Sequence, residues 1–272
     1  MSNGAFSRVC VLANRQAHEC AAAEQALRAQ LEKDGFSLVD EPRDDTVDVL
    51  VVLGGDGFLM EVLPRFDFPT MPIFGVNFGT VGFHMNSQSS LDELPKILRA
   101  GGQRLETYPL LAVIARHEDG TETRVHAFND VLLERETRQS VRLRVWLDEI
   151  LFNRFAGDGF VVATAAGSTA YNLAAGGPAV HPGLEAMVLT PLYPHQAVPF
   201  SSVQFSLTLP LSSRLRFQAD DLPKRGMRLV ADGRPYERVE SAEVSDSGRR
   251  ITLLRTPASG FSETLSRKII GS

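Results

Sequence analysis

Val47–Leu63 reads VDVLVVLGGDGFLMEVL, and this stretch decides the architecture. The run Val47–Leu53 is apolar with almost no alternation, which suits a parallel strand covered on both faces better than a strand with one wet face. It ends in Gly54-Gly55-Asp56-Gly57 and passes into a helical pattern. Glycines there admit a close ligand, and a helix start offers unpaired N–H groups and a positive dipole end to an anion. Lys-Ser or Lys-Thr does not follow, and G-x-G-x-x-G is absent, so neither the P-loop nor the dinucleotide fingerprint is present. Asp56 sits inside this cradle, where its charge opposes phosphate. It can hold Mg²⁺, accept a proton from an attacking hydroxyl, or simply cap the helix.

The surrounding third of the chain alternates strands and helices. Arg8–Ala13 is a short apolar strand, residues 17–33 carry good helix formers closed by Gly35, and Pro72–Asn77 is a further strand. Ser90 with Glu93 has capping-box spacing before a helix over 91–99. Such alternation predicts an α/β lobe with a parallel sheet and right-handed crossovers. From about residue 104 the texture becomes β-rich. Tyr108–Arg116 and Glu122–Arg135 are strand-like around an Asp119-Gly120 turn, Val141–Leu147 alternates, and β-type runs recur at 203–209, 214–218 and 249–255, with Ser247-Gly248 as a turn. The expected division is residues 1–101, 102–255, and a tail, 256–272, that returns to the first lobe.

Composition narrows the function. The 272 residues carry a formal net charge of −5 and no basic tract, against general nucleic-acid binding. No apolar run approaches the roughly 20 residues that cross a bilayer, and the N-terminus lacks signal-peptide form. The two cysteines, Cys10 and Cys20, make no disulfide framework. A cytoplasmic protein without membrane contact is expected.

A second constellation is Gly157–Pro178, GDGFVVATAAGSTAYNLAAGGP. Its small residues leave backbone amides and hydroxyls open to a flat nucleotide or sugar, or pack a tight strand-to-helix junction. Together with Gly54–Gly57, with Asn129-Asp130 after an apolar strand, and with Asp158-Gly159, Thr164 and Gly167-Ser-Thr-Ala-Tyr171, it resembles the NAD kinase family along most of the chain. The first motif alone is shared with diacylglycerol-type lipid kinases and phosphofructokinases; the second is more specific.

The resemblance implies a Rossmann-like α/β lobe followed by a β-rich lobe, and transfer of the γ-phosphoryl of ATP to the 2′-hydroxyl of the adenosine ribose of NAD. It implies Mg²⁺ or another divalent cation, with no protein ligand assigned, and a homodimer or homotetramer whose NAD site a neighbouring subunit completes. Asp56 matches the catalytic carboxylate, and Gly54, Gly55 and Gly57 the phosphate-binding turn. Asn129 and Asp130 match the pair contacting NAD; Phe83, Thr169 and Ala170 lie near the adenine; Asp158 and Tyr171 lie at the nicotinamide end or the subunit boundary.

Four positions depart from that pattern. Phe58 replaces Thr, Asp130 replaces Glu, Ala166 removes a hydroxyl, and Ala174 replaces a frequent polar residue. A lipid kinase of the same plan, or an NAD-binding regulator with weak catalysis, are the alternatives; intact Asp56 opposes the latter. No Lys or Arg lies in either motif, so backbone amides and the cation are the expected phosphate clamp, joined through folding by an arginine such as Arg15 or Arg234. The six histidines show no zinc spacing. His195 is expected in a structural hydrogen bond, Trp146 in packing, and Asp232-Gly233-Arg234 in a β-turn.

Overall fold

A computed structural model describes residues 6–80, 82–101, 104–196, 201–257, 260–266 and 269. The chain divides into two compact units, residues 1–108 with 250–272, and residues 109–249. Among the described residues no helix is long and apolar enough to cross a membrane.

The first unit is α/β. It runs β1 (Arg8–Ala13), α1 (His18–Lys33), β2 (Ser37–Val39), β3 (Val49–Gly54), α2 (Asp56–Arg65), β4 (Ile73–Asn77) and α3 (Leu94–Arg99). The strands are parallel in the order β2-β1-β3-β4, and residue 253 extends the sheet by pairing in parallel with Ile73. Every residue of β3 is buried, as its unbroken apolar run requires of a strand packed on both faces. The order reverses between β1 and β3, so the ends of these two strands flank a topological switch point. Cys10 and Cys20 are buried free thiols on β1 and α1. Ser90 does not cap a helix. It lies in a 3₁₀ turn, Gln88–Leu91, with its hydroxyl bonded back to the Ser87 carbonyl, and α3 starts later with Pro95 in its first turn. Competition from this local side-chain bond displaces the helix start.

The second unit is a β-sandwich. Its elements are β5 (Leu105–His117), β6 (Glu122–Ala127), β7 (Asp130–Arg135), β8 (Val141–Leu147), β9 (Ile150–Gly157), β10 (Gly159–Thr164), α4 (Tyr171–Ala174), β11 (Ala186–Leu192), β12 (Leu207–Pro210), β13 (Leu215–Ala219), β14 (Met227–Ala231), β15 (Arg234–Tyr236) and β16 (Val239–Leu254), followed by α5 (Phe261–Leu265). The first strand begins, and the last strand and α5 end, in the first unit. One antiparallel sheet has the order β12-β11-β10-β7-β14-β15, and β16-β13-β8-β9 form the facing layer. Alternating inward residues of both layers make one core, with Phe160 tilted against Phe155 at 4.3 Å and against Phe217 at 5.7 Å between ring centroids. Trp146 of β8 is covered by Arg216, whose guanidinium carbon lies 4.2 Å from the ring centre.

Three strand boundaries differ from the sequence pattern, and of these the run at 203–209 is a strand only from Leu207. Glu122–Arg135 is not one strand: β6 pairs with β5, whereas β7 pairs with β10 and β14, and the chain changes sheets at Phe128-Asn129. Ser247-Gly248 is not a hairpin turn but lies inside the 16-residue β16, where Gly248 takes φ +72° and its amide is held by the Asp246 carboxylate. A glycine at positive φ lets the strand bend without ending.

Candidate active site

In the first unit the glycine motif stands where β3 ends. Gly54 is the last strand residue, Gly55 is the helix cap, and Asp56 opens α2. Its carboxylate does not cap that helix. Oδ2 accepts the backbone N–H of Phe83 at 2.6 Å and Oδ1 that of His84 at 3.0 Å. Two amides from a loop about 27 residues on thus fix the carboxylate, and each oxygen keeps a lone pair for a further donor.

That loop is the second glycine segment, 75–83, of which Val81 lies outside the described residues. Asn77 shapes it by exchanging two hydrogen bonds with Gly79, and Gly82 takes φ +65°. A Cβ on Gly55 would meet the Gly79 backbone at 3.6 Å, so the two glycine turns lie side by side. Arg255 holds the loop from the other side. Its guanidinium is buried, donates to the Phe83 carbonyl at 3.1 Å and lies 3.8 Å from Glu106, which also accepts the Tyr108 hydroxyl and pairs with Arg104 at 2.8 Å.

Phe58 packs its ring on Gly54, where an added Cβ would lie 2.8 Å from the ring edge. It also lines a cleft of about 690 Å³ with Asn14, Arg15, Glu61 and Arg65, at the end of β1 beside the switch point. Arg15 is exposed in that cleft. Phe58 therefore fills a space that a threonine would leave open.

In the second unit β7 begins at Asn129-Asp130. Thr164, wholly buried at the end of β10, ties the two halves of the constellation: its hydroxyl donates to the Phe128 carbonyl at 2.7 Å and accepts the Gly167 amide at 2.9 Å. Gly167 packs so close to the Asn129 carbonyl that any Cβ would overlap it. Ser168 and Asn172 are buried and fully used in the junction. Ser168 bonds to Ala165 and Val180, and Asn172 to Ser168, Pro178 and Thr190. Their small-residue setting is a packed junction, and only Ala170 and Tyr171 of Gly167–Tyr171 are exposed; Thr169 is buried.

Asp158 pairs with Arg135 at 2.7 Å and shares a cleft of about 230 Å³ with Tyr171, Glu134 and the exposed Tyr193. The structure brings Asn129, Asp130, Thr169, Ala170 and Tyr171 into one neighbourhood, with the Tyr171 amide directed at the Asp130 carboxylate. Burial, then the nearby Asp232 charge, push Asp130 up to about 7. His195 engages through its backbone, donating to the Ala156 carbonyl at 2.7 Å, while the residue is exposed. Arg234 spends its guanidinium on the carbonyls of Ala231 and His126.

Asp232 is the residue whose importance the sequence pattern hid. Asp232-Gly233, with φ +45° and +79°, is the two-residue turn between β14 and β15, as the sequence predicts. Its carboxylate, however, accepts three backbone amides: Phe128 at 2.6 Å, Asn129 at 2.8 Å and Asp130 at 3.2 Å. Those amides have left the β5–β6 ladder, and this is why the strand breaks there. The only sequence signal was Asp rather than Asn before Gly.

Among the described residues no three His, Cys, Asp or Glu side chains gather into a metal cage. Both Asp56 oxygens already accept amides.

A carboxylate at a glycine-flanked helix start in an α/β unit, and a small-residue platform carrying Asn-Asp in a β-sandwich unit, define a nucleotide phosphotransferase. Residues 11–100 match the family model described as ATP-NAD kinase N-terminal domain, and residues 128–245 the ATP-NAD kinase C-terminal domain. The NAD kinase of Xylella fastidiosa is 33% identical over 258 residues, 93% of this chain and 95% of that protein. That of Caldicellulosiruptor saccharolyticus is 31% identical, over 88% of this chain and 89% of its own. A yeast NADH kinase solved with NADH superimposes with a TM-score of 0.84 at 21% identity, covering 98% of this chain and 88% of that one. An Archaeoglobus fulgidus NAD kinase solved with ATP gives 0.75 at 24% identity, covering 95% and 99%. The chain belongs to the ATP-NAD kinase family and is an enzyme that phosphorylates NAD. The lipid-kinase alternative has no support in these likenesses.

Proposed function

We propose that this enzyme transfers the γ-phosphoryl of ATP to the 2′-hydroxyl of the adenosine ribose of NAD, with Asp56 as the general base. The observation that carries this is the Asp56 carboxylate, held by the Phe83 and His84 amides and free of its own helix. Held so, it accepts the hydroxyl proton as the oxygen bonds to phosphorus and ADP leaves. A positioned base of this kind is worth about 10²–10⁴-fold. The amides of Gly54, Gly55 and Gly57 and the start of α2 take the donor phosphates. The Archaeoglobus relative's ATP supports that donor, and the switch point between β1 and β3 is where this topology receives a nucleotide.

In the second unit Asn129 and Asp130 contact NAD, Thr169 and Ala170 lie near its adenine, and Asp158 and Tyr171 lie at its nicotinamide end or at the subunit boundary. NADH bound to the yeast neighbour is in keeping with an acceptor of this class. The residues fit a divalent cation such as Mg²⁺ that arrives on the donor phosphates with its own waters rather than one caged by carboxylates. When bound, it neutralises phosphate charge. The exposed Tyr171 and Tyr193 favour a homodimer or homotetramer built over that rim, and the buried free thiols suit the cytoplasm.

The test is direct. Purified protein with NAD, ATP and Mg²⁺ should form NADP, read by a coupled NADP-specific dehydrogenase, and its mass in solution by light scattering should be a multiple of the chain. Turnover with polyphosphate but none with ATP would overturn the donor; a monomer would overturn the assembly. NAD binding without NADP formation under every donor and cation tried would make the protein a sensor.

A further inference from the structure

Asp232 lies outside every role assigned above, yet it touches the acceptor-binding pair in two ways. Through its carboxylate it holds the amides of Phe128, Asn129 and Asp130, while its own amide donates to the Asp130 carbonyl at 3.0 Å. Four hydrogen bonds therefore lock the turn that aims the Asn129 and Asp130 side chains. Part of residue 232 reaches solvent, but the carboxylate is turned inward onto the amides. The second connection is charge, because Asp130 is itself buried and the Asp232 carboxylate acts on it as a like charge.

We propose that Asp232 is a positioning residue for the acceptor: it fixes the Asn129-Asp130 turn through four backbone hydrogen bonds and sets its own charge against the buried Asp130 carboxyl. This rests on Asn129 and Asp130 being the acceptor contacts.

The proton has one place to sit. Burial raises both acids, but Asp232 is compensated by three amides and by the Arg234 guanidinium, whereas Asp130 has the single Tyr171 amide. The pair's charge is therefore better held on Asp232 and its proton on Asp130. Tyr171 also faces Asp130, with the Glu134, Tyr193 and Asp158 groups around it, and the Arg234 guanidinium acts on Asp232. A protonated Asp130 can donate to a ribose oxygen, which an ionised one cannot. The side chain one methylene shorter than the family's usual Glu keeps this acid close to its own turn.

The experiment is a pH series of KM for NAD and kcat on the wild type, Asp232→Asn, Asp130→Asn and Asn129→Ala. The wild type should show an inflection in KM near neutrality that is absent in Asp130→Asn. In Asp232→Asn, KM should rise by about tenfold, the equivalent of one lost hydrogen bond, with kcat little changed. Its inflection should also move to lower pH by a unit or more, because the charge that held the proton has gone. An unmoved inflection overturns the proposal, as does an unchanged KM. If Asn129→Ala and Asp130→Asn both leave KM unchanged, the acceptor assignment itself has failed, which is a separate outcome. Should Asp232→Asn not fold, the backbone amide resonance of Asn129 in the wild type must titrate with the same midpoint as KM. An amide that does not move across neutral pH overturns the proposal without any variant.

Discussion

Asp56 and Phe83 meet through a 2.6 Å hydrogen bond from the Phe83 amide to the carboxylate, joining the first glycine turn to the second. The bond answers the electrostatic problem of an acid inside a phosphate cradle. A carboxylate so anchored cannot swing out to meet phosphate, and its remaining lone pairs lie where a hydroxyl can be received. Asp56→Asn keeps the size but presents an NH₂ to one of the two amides. NADP formation should fall by about 10²–10⁴-fold, while NAD binding by calorimetry persists and the folded state loses about 1–3 kcal/mol. Full activity in this variant would remove Asp56 from the chemistry.

Phe58 and Gly54 form the second testable pair. The ring occupies the place where a Cβ on Gly54 would stand, at 2.8 Å. Gly54→Ala should therefore cost about 1–3 kcal/mol in the wild type by overpacking, and less in a Phe58→Thr background. Unfolding midpoints of the four proteins in a double-mutant cycle give the coupling. Strict additivity would mean that the ring does not set the space at residue 54.

How much of this was legible in the sequence follows from which interactions are local. The continuous apolar run into Gly54 marked a doubly covered strand, and β3 is buried at every residue. The glycine motif, Asn129-Asp130 and Gly167–Tyr171 were all visible as patterns along the chain. The break at Phe128-Asn129 was not, because strand-type residues lie on both sides of Asn129-Asp130 and nothing in the sequence marks the change of partner. The amides there turn away to a carboxylate about 100 residues on, and such a partner leaves no periodic trace. Ser247-Gly248 failed in the opposite sense: a turn-like dipeptide sits inside a long strand, since one positive-φ glycine bends β16 without ending it. Ser168 and Asn172 resemble ligand groups in sequence, yet their hydrogen bonds are taken up in the junction.

Asp130 makes stability depend on pH in a direction opposite to an ordinary surface acid. Its folded-state value of about 7 lies above the 3.8 of a free side chain, so the folded protein binds the proton more tightly than the unfolded chain. The benefit is present at low pH and is lost as pH rises between about 4 and 7. Asp130→Asn, which mimics the protonated acid, should remove this loss. Chemical denaturation at pH values either side of the window should show the variant gaining on the wild type as pH rises. A constant difference would place Asp130 in a more solvated setting than its burial indicates.

Gly167 offers the sharpest separation between fold and ligand. A Cβ there would overlap the Asn129 carbonyl, which is main chain and cannot rotate away. Gly57 is the counter-case, because among the described residues no atom beyond its chain neighbours and its own helix backbone lies within 4 Å of the position its Cβ would take. Gly167→Ala should therefore push Asn129 out of place, destabilise the fold by about 1–3 kcal/mol, and raise KM for NAD by about tenfold or more with KM for ATP unchanged. Gly57→Ala should leave the unfolding midpoint within about 0.5 kcal/mol of the wild type and raise KM for ATP, since the added methyl meets only an approaching phosphate. If Gly57→Ala leaves ATP kinetics untouched, the donor does not approach the turn at that residue. The phosphate assignment would then contract to Gly54 and Gly55.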